Sequence, residues 1–195
     1  MNPEFGRCQP PLIDEERHLV DDSWEGVENV DSLDCAEDDE PLRPINWYLL
    51  TADEAYVEWH SLDEWVKRHL RDSYGLPPAV VPPFWYRHDE LVWELSALHQ
   101  HWLNSYDLEG SASGPLAWHR DFGEARNRLR EWVSTSGTRV DRDRPTRHTT
   151  WPGETPVQPS AETIIADRDA DFVQFVLDDV AARRQIEESV RLRAS

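Results

Sequence analysis

Residues 82–106, PPFWYRHDELVWELSALHQHWLNSY, decide the fold. Pro82 and Pro83 pre-set φ and need no amide partner in a first helical turn, so the stretch is predicted as one long helix with a proline turn at its start. From His88 onward, Leu91, Leu95, Leu98, Trp102 and Tyr106 recur at spacings of three and four, which puts them on one face. Val92 and Trp93 widen that stripe, and Asp89, Glu90, Glu94 and Gln100 lie away from it. A helix of this kind buries its stripe against partners, so the flanking segments must supply them.

The chain has 195 residues, the size of one ordinary domain with extensions, and 10 Trp, 5 Tyr and 5 Phe. Aromatics bury roughly 150–250 Å² each, so few are needed to cement a small helical core. The net charge of −19 is uneven. Residues 1–40 hold 14 Asp/Glu against Arg7 and Arg17, a balance of −12, which leaves −7 for the other 155. Cys8 and Cys35 lie in that acidic stretch without CxxC spacing or a nearby His pair, which argues against a disulfide framework or a zinc site. The first residues lack the basic-then-apolar order of a signal peptide, and no apolar run approaches the ~20 residues needed to span a bilayer. A cytoplasmic protein without a membrane partner is expected.

Working outward, residues 1–44 are predicted to be a disordered acidic arm, either a solubilising tail or, through Trp24 and interspersed Leu and Val, an element that docks on a basic partner. INWYLL (45–50) is a strand or a strap. Thr51-Ala-Asp-Glu54 has capping-box form and starts an amphipathic first helix at 52–73, with Ala55, Tyr56, Trp59, Leu62, Val66 and Leu70 in its stripe. A second box at Ser61–Glu64 would split it in two. Gly75 sits where a left-handed helix terminator belongs. Leu76–Pro83 is too proline-rich for helix or central strand. Pro115 opens a third helix with Leu116, His119, Phe122, Ala125, Leu129 and Val133 on one face, Trp118 and Trp132 beside it, and Gly137 at its end. Residues 139–151 form an arginine-rich loop (Arg139, Arg142, Arg144, Arg147) in which Trp151 is expected to pin the loop to the body. Residues 154–161 are a linker and Thr163–Ala166 a short extended piece. Within 162–195, Asp167 caps a last helix with a stripe through Phe172, Phe175/Val176, Asp179/Val180 and Arg183, broadened by Val173 and Leu177 and continued by Ile186 and Val190, which docks on the bundle or pairs with a partner.

Chemistry is thin. His99 and His101 stand about 200° apart on a helix and cannot share a metal, because helical metal pairs need i, i+3 or i, i+4 spacing. His88 and His119 converge with other groups only through tertiary packing. RDRPTRH (142–148) fits an Arg-to-His ribonuclease pattern, but Pro145 breaks the helical register that pattern requires. Two Asp residues cancel half the loop's charge, which disfavours nucleic acid and favours a loop tied down by Arg–Asp and Arg–Glu contacts or one facing an acidic partner. Phosphate-loop and G-x-S-x-G patterns are missing, and no cofactor is implied.

The segments LTADEA (50–55), Trp65-Val66, VPPFWYRH (81–88), ELSALHQHW (94–102), WHRDF (118–122) and GTRVDRDRPTRHTTWPGE (137–154) carry a resemblance. Over residues 46–154 the chain resembles a family of small tryptophan-rich proteins from actinobacterial plasmids, integrative elements and their phages. The resemblance implies a mobile-element accessory protein and brings no activity or catalytic residue with it.

The expected architecture is mainly α: a bundle of three amphipathic helices at 45–153, the acidic arm, and an additional C-terminal helix. The expected function is a non-enzymatic accessory or adaptor protein that works through contacts with a protein partner, basic in character. Trp24, Trp85, Trp93, Arg139, Arg142, Arg144, Arg147 and Trp151 are its candidate binding residues. An acidic DNA mimic is one alternative, which would need carboxylates in a band on the folded body. A nuclease or hydrolase is another, which would need His88, His119 or His148 to meet carboxylates in a cleft.

Overall fold

Thr51 starts the first helix as its sequence requires. In the computed structural model, which describes residues 43–146, 149–155 and 161–194, the Thr51 hydroxyl accepts from the Glu54 amide at 3.3 Å and Glu54 Oε2 accepts from the Thr51 amide at 2.8 Å. All described residues lie in one compact unit, Glu40–Ser195. The acidic arm with Trp24, together with Arg147, His148 and most of the linker, falls outside the described residues.

Helix α1 spans Ala52–Trp65 and passes Ser61 without a break. It then widens into a π-helical turn, Val66–Ser73. That turn closes through Tyr74 N–H to His69 O at 2.9 Å and Leu76 N–H to Leu70 O at 3.0 Å, with Gly75 in the left-handed region at φ +61°. Only glycine takes that conformation without steric cost. Ala55, Trp59, Leu62, Trp65 and Leu70 are buried along this axis.

The long helix expected from Pro82 is shorter than its sequence suggests. Trp85–Arg87 make a 3₁₀ turn, His88 adopts an extended backbone, and helix α2 runs from Asp89 to Ser105. The reason is packing. Phe84, Trp85 and Tyr86 are consecutive and all fully buried, and a continuous helix would turn one of three successive side chains toward water; the chain instead leaves helical geometry at Phe84 (φ −103°, ψ 32°) and at His88 (φ −128°, ψ 107°). Downstream, Leu91, Val92, Leu95 and Leu98 are buried as expected, whereas Tyr106 at the end of the stripe is exposed.

Helix α3, Gly114–Thr135, packs on α2. Its buried face is Trp118, Phe122, Ala125 and Leu129, and Leu116 and His119 point outward. The expected face was therefore rotated, because the indole of Trp118 claims the core position that Leu116 and His119 were assigned. Two short strands follow in antiparallel pairing, β1 (Arg142–Asp143) and β2 (Thr163–Ile164). The arginine loop is therefore partly a ribbon.

Helix α4, Arg168–Ala194, begins under Asp167, whose Oδ1 accepts from the amides of Asp169 and Ala170 at 3.0 Å each. Phe172, Val176 and Val180 are buried, and α4 packs along α1. The first half of this helix is thus a fourth member of the bundle and not an outlying element. Trp59 sits at the join, with ring centroids 4.2 Å from Trp47 and 5.4 Å from Phe175. The INWYLL segment is a strap: Arg183 Nη1 on α4 donates to Trp47 O at 2.8 Å and Leu50 O at 2.9 Å.

Candidate functional site

The start of α4 concentrates charge. The Arg168 guanidinium grips the Asp63 carboxylate with two bonds, lies over the rings of Tyr86 and Phe172 at 5.1 and 4.9 Å, and donates to Pro83 O at 3.2 Å. Lys67 reaches Asp63 at 3.0 Å and Asp169 at 2.8 Å. Arg87 forks onto Asp171, which also accepts from Tyr86 Oη at 2.6 Å. Burial raises the Asp171 carboxyl, but the Arg87 and Tyr86 bonds outweigh it and hold the group below the usual range. Burial, then the adjoining carboxylate, push Tyr86 up. Each of these cations already holds a carboxylate, so the cluster braces α4 onto α1 and has no charge to spare for a ligand.

His88, His119, His99 and His101 sit in four different settings. His88 Nε2 lies 2.8 Å from Asp143 Oδ1, and its Nδ1 lies 2.8 Å from Thr146 Oγ1, which donates to Glu90 Oε1 at 2.7 Å. A histidine does meet carboxylates here, but His88 and Asp143 are both buried, not in a cleft. The network clasps the start of α2 to the ribbon. His119 is exposed, with Nε2 3.4 Å from Tyr74 Oη. His99 is buried and stacks on Trp65 at 5.0 Å, and burial lowers its pKa to about 4. His101 turns the other way, toward Trp118 and Asp121. Among the described residues no group of three or more His, Cys, Asp or Glu could hold a metal.

The residues nominated from sequence divide sharply. Trp85 is 1% exposed and belongs to the core, so it offers no binding surface. Trp93 is half-buried, with its ring 5.4 Å from that of Tyr48. Trp151 is 70% exposed and does not pin the loop; the ribbon and the His88–Asp143 clasp do that. Arg142 is held by Asp141 at 3.0 Å and faces Glu162 at 3.7 Å, as the tied-down loop required. Arg139 and Arg144 have no carboxylate partner among the described residues. Gly137 lets Arg144 pack closely on the chain, because a Cβ on it would sit 2.5 Å from Arg144 O. Arg139 lines a cleft of about 430 Å³ with Thr138 and with Arg130 from α3, a residue that sequence reasoning did not nominate.

At the other end of the molecule α4 runs past its docking surface. Its last bonds to α1 come from Glu187, which accepts from Ala52 N–H at 2.7 Å, and from Arg184, which pairs with Asp53 at 3.1 Å. Ile186 and Val190 continue the spacing of the docked stripe yet are 62% and 58% exposed.

No protein-family model, curated protein or solved structure matches this chain. Geometry alone ranks its surfaces. The buried networks are structural, and among the described residues the arginine cleft and the exposed Ile186–Val190 pair of α4 stand apart from them. Among the described residues no helix is long and apolar enough to cross a membrane.

Proposed function

We propose that this chain is a non-enzymatic accessory or adaptor protein of a mobile genetic element, acting in the cytoplasm through contacts with a basic protein partner. The observation that carries the reading is the division of α4. Phe172, Val176 and Val180 are spent on the core, whereas Ile186 and Val190 extend the same stripe into solvent. A helix with an open i, i+4 apolar pair is suited to lie in a partner's groove. The carboxylate-rich residues 1–40 favour a basic partner surface by charge, and the resemblance over residues 46–154 supports the mobile-element setting. His88 and His99 are sealed in the core, and His101 lines a cleft with Trp93 and Gln100 in which no carboxylate joins it, so the adaptor reading needs fewer assumptions than a hydrolase. The test is quantitative affinity purification from the native host with the full chain, an Ile186→Glu/Val190→Glu variant, and a chain lacking residues 1–43. Loss of a common partner in either altered chain supports the proposal. Retention of every partner by both removes it.

A further inference from the structure

We propose that the cleft between the end of α3 and the following loop binds a small phosphate monoester. It encloses about 430 Å³, the size range of small-ligand sites. Arg130 and Arg139 line it, and neither meets a carboxylate, in a chain whose net charge is −19. Their neighbours are treated differently: Arg128 is held by Glu94 at 2.6 Å and Arg142 by Asp141 at 3.0 Å. An exposed arginine without a partner is ordinary by itself. What sets this cleft apart is Thr138, which lines it, is only 5% exposed, and whose hydroxyl has no hydrogen-bond partner among the described residues. Leaving such a group unsatisfied is unfavourable, and a ligand oxygen within hydrogen-bond reach would satisfy it.

The donor inventory favours phosphate over carboxylate. Arg130 Nη1 is engaged by Arg126 O and Asn127 Oδ1, which leaves its Nε–Nη2 edge free to fork onto an anion. Two guanidinium forks and one hydroxyl supply roughly five donors, more than the roughly four lone-pair sites of a carboxylate and within the capacity of a phosphate's three terminal oxygens. The end of α3 would ordinarily repel an anion through its bare carbonyls. Here Ser134, Thr135 and Ser136 each donate a hydroxyl to the carbonyls of Glu131, Trp132 and Val133, at 2.7, 3.0 and 3.0 Å. Pro78, Ala79 and Val140 supply an apolar wall for the ester's organic part.

The experiment is calorimetric titration of the full chain at fixed ionic strength with inorganic phosphate, phenyl phosphate and acetate. Both phosphates saturate at one site, phenyl phosphate binds more tightly, and acetate binds at least about tenfold more weakly. Arg139→Gln, Arg130→Gln and Thr138→Val each weaken phenyl phosphate by about tenfold, the scale of one charge-assisted bond, whereas Arg142→Gln leaves it unchanged. Absence of saturable binding, acetate as tight as phosphate, phenyl phosphate no tighter than inorganic phosphate, or unaltered binding in both arginine variants overturns the proposal. The arginine variants change exposed side chains, so they remain informative if Thr138→Val fails to fold.

Discussion

His88 Nε2 and Asp143 Oδ1 meet at 2.8 Å in the interior, joining the first residue before α2 to a loop 55 positions later. With Nδ1 directed at a hydroxyl that donates to Glu90, the ring is held at both nitrogens. Removing one partner strands the other without solvent. Asp143→Ala is expected to destabilise the fold by about 3–5 kcal/mol, and the His88→Ala/Asp143→Ala double variant by clearly less than the sum of the singles. Urea unfolding of the four-protein cycle measures this, and strict additivity would refute the clasp.

Two tryptophans nominated together behave oppositely. Trp85→Ala empties a fully buried site and should cost about 3–5 kcal/mol. Trp151→Ala, on a mostly exposed ring, should stay within about 0.5 kcal/mol. Midpoints of thermal or urea unfolding decide between them, and similar losses at both sites would contradict the burial.

His99 gives the fold a defined weakness in acid. Its folded pKa is lowered to about 4 by burial, against about 6.5 when unfolded. Below pH 6.5 the unfolded chain takes up a proton that the folded chain refuses. Stability is therefore full above 6.5 and falls as the pH drops toward 4, by up to about 3 kcal/mol from this group. Comparison of stability against pH for the native chain and His99→Gln isolates the effect: the difference between the two curves should change between pH 6.5 and 4, and parallel curves would contradict it.

Glycine tolerance offers a further check on the loop. Gly137→Ala places a methyl 2.5 Å from the Arg144 carbonyl and should cost about 1–3 kcal/mol. Gly123→Ala, in the exposed interior of α3 with nothing within 4 Å, should stabilise by about 0.5–1 kcal/mol. Thermal midpoints that move in the same direction for both would contradict the packing around Gly137.

Much of the fold was legible because it rests on local rules. The Thr51–Glu54 box, the Leu91–Leu95–Leu98 stripe, the terminator at Gly75 and the Asp167 cap are each decided by residues within a few positions. The failures share a cause. Periodicity assigns a face but not what competes for it, so Trp118 displaced Leu116 and His119 from the core, and three successive buried aromatics turned an expected helix start into a 3₁₀ turn. The π-helical turn at Val66–Ser73 keeps an apolar pattern compatible with an ordinary helix, so spacing does not reveal it. The clasp between His88 and Asp143 and the cleft that Arg130 and Arg139 both line depend on tertiary approach. Arg130 stands on a helix as one more solvated charge until the loop folds back beside it.

Helix α4 is bonded to α1 and the strap as far as Glu187 and runs on past them. Hydrogen exchange of the isolated chain tests this directly. Amides of residues 172–183 are predicted to exchange only with global unfolding, and those of 188–194 many-fold faster. Equal protection along the whole helix would mean that Ile186 and Val190 are already covered, and would contradict the account.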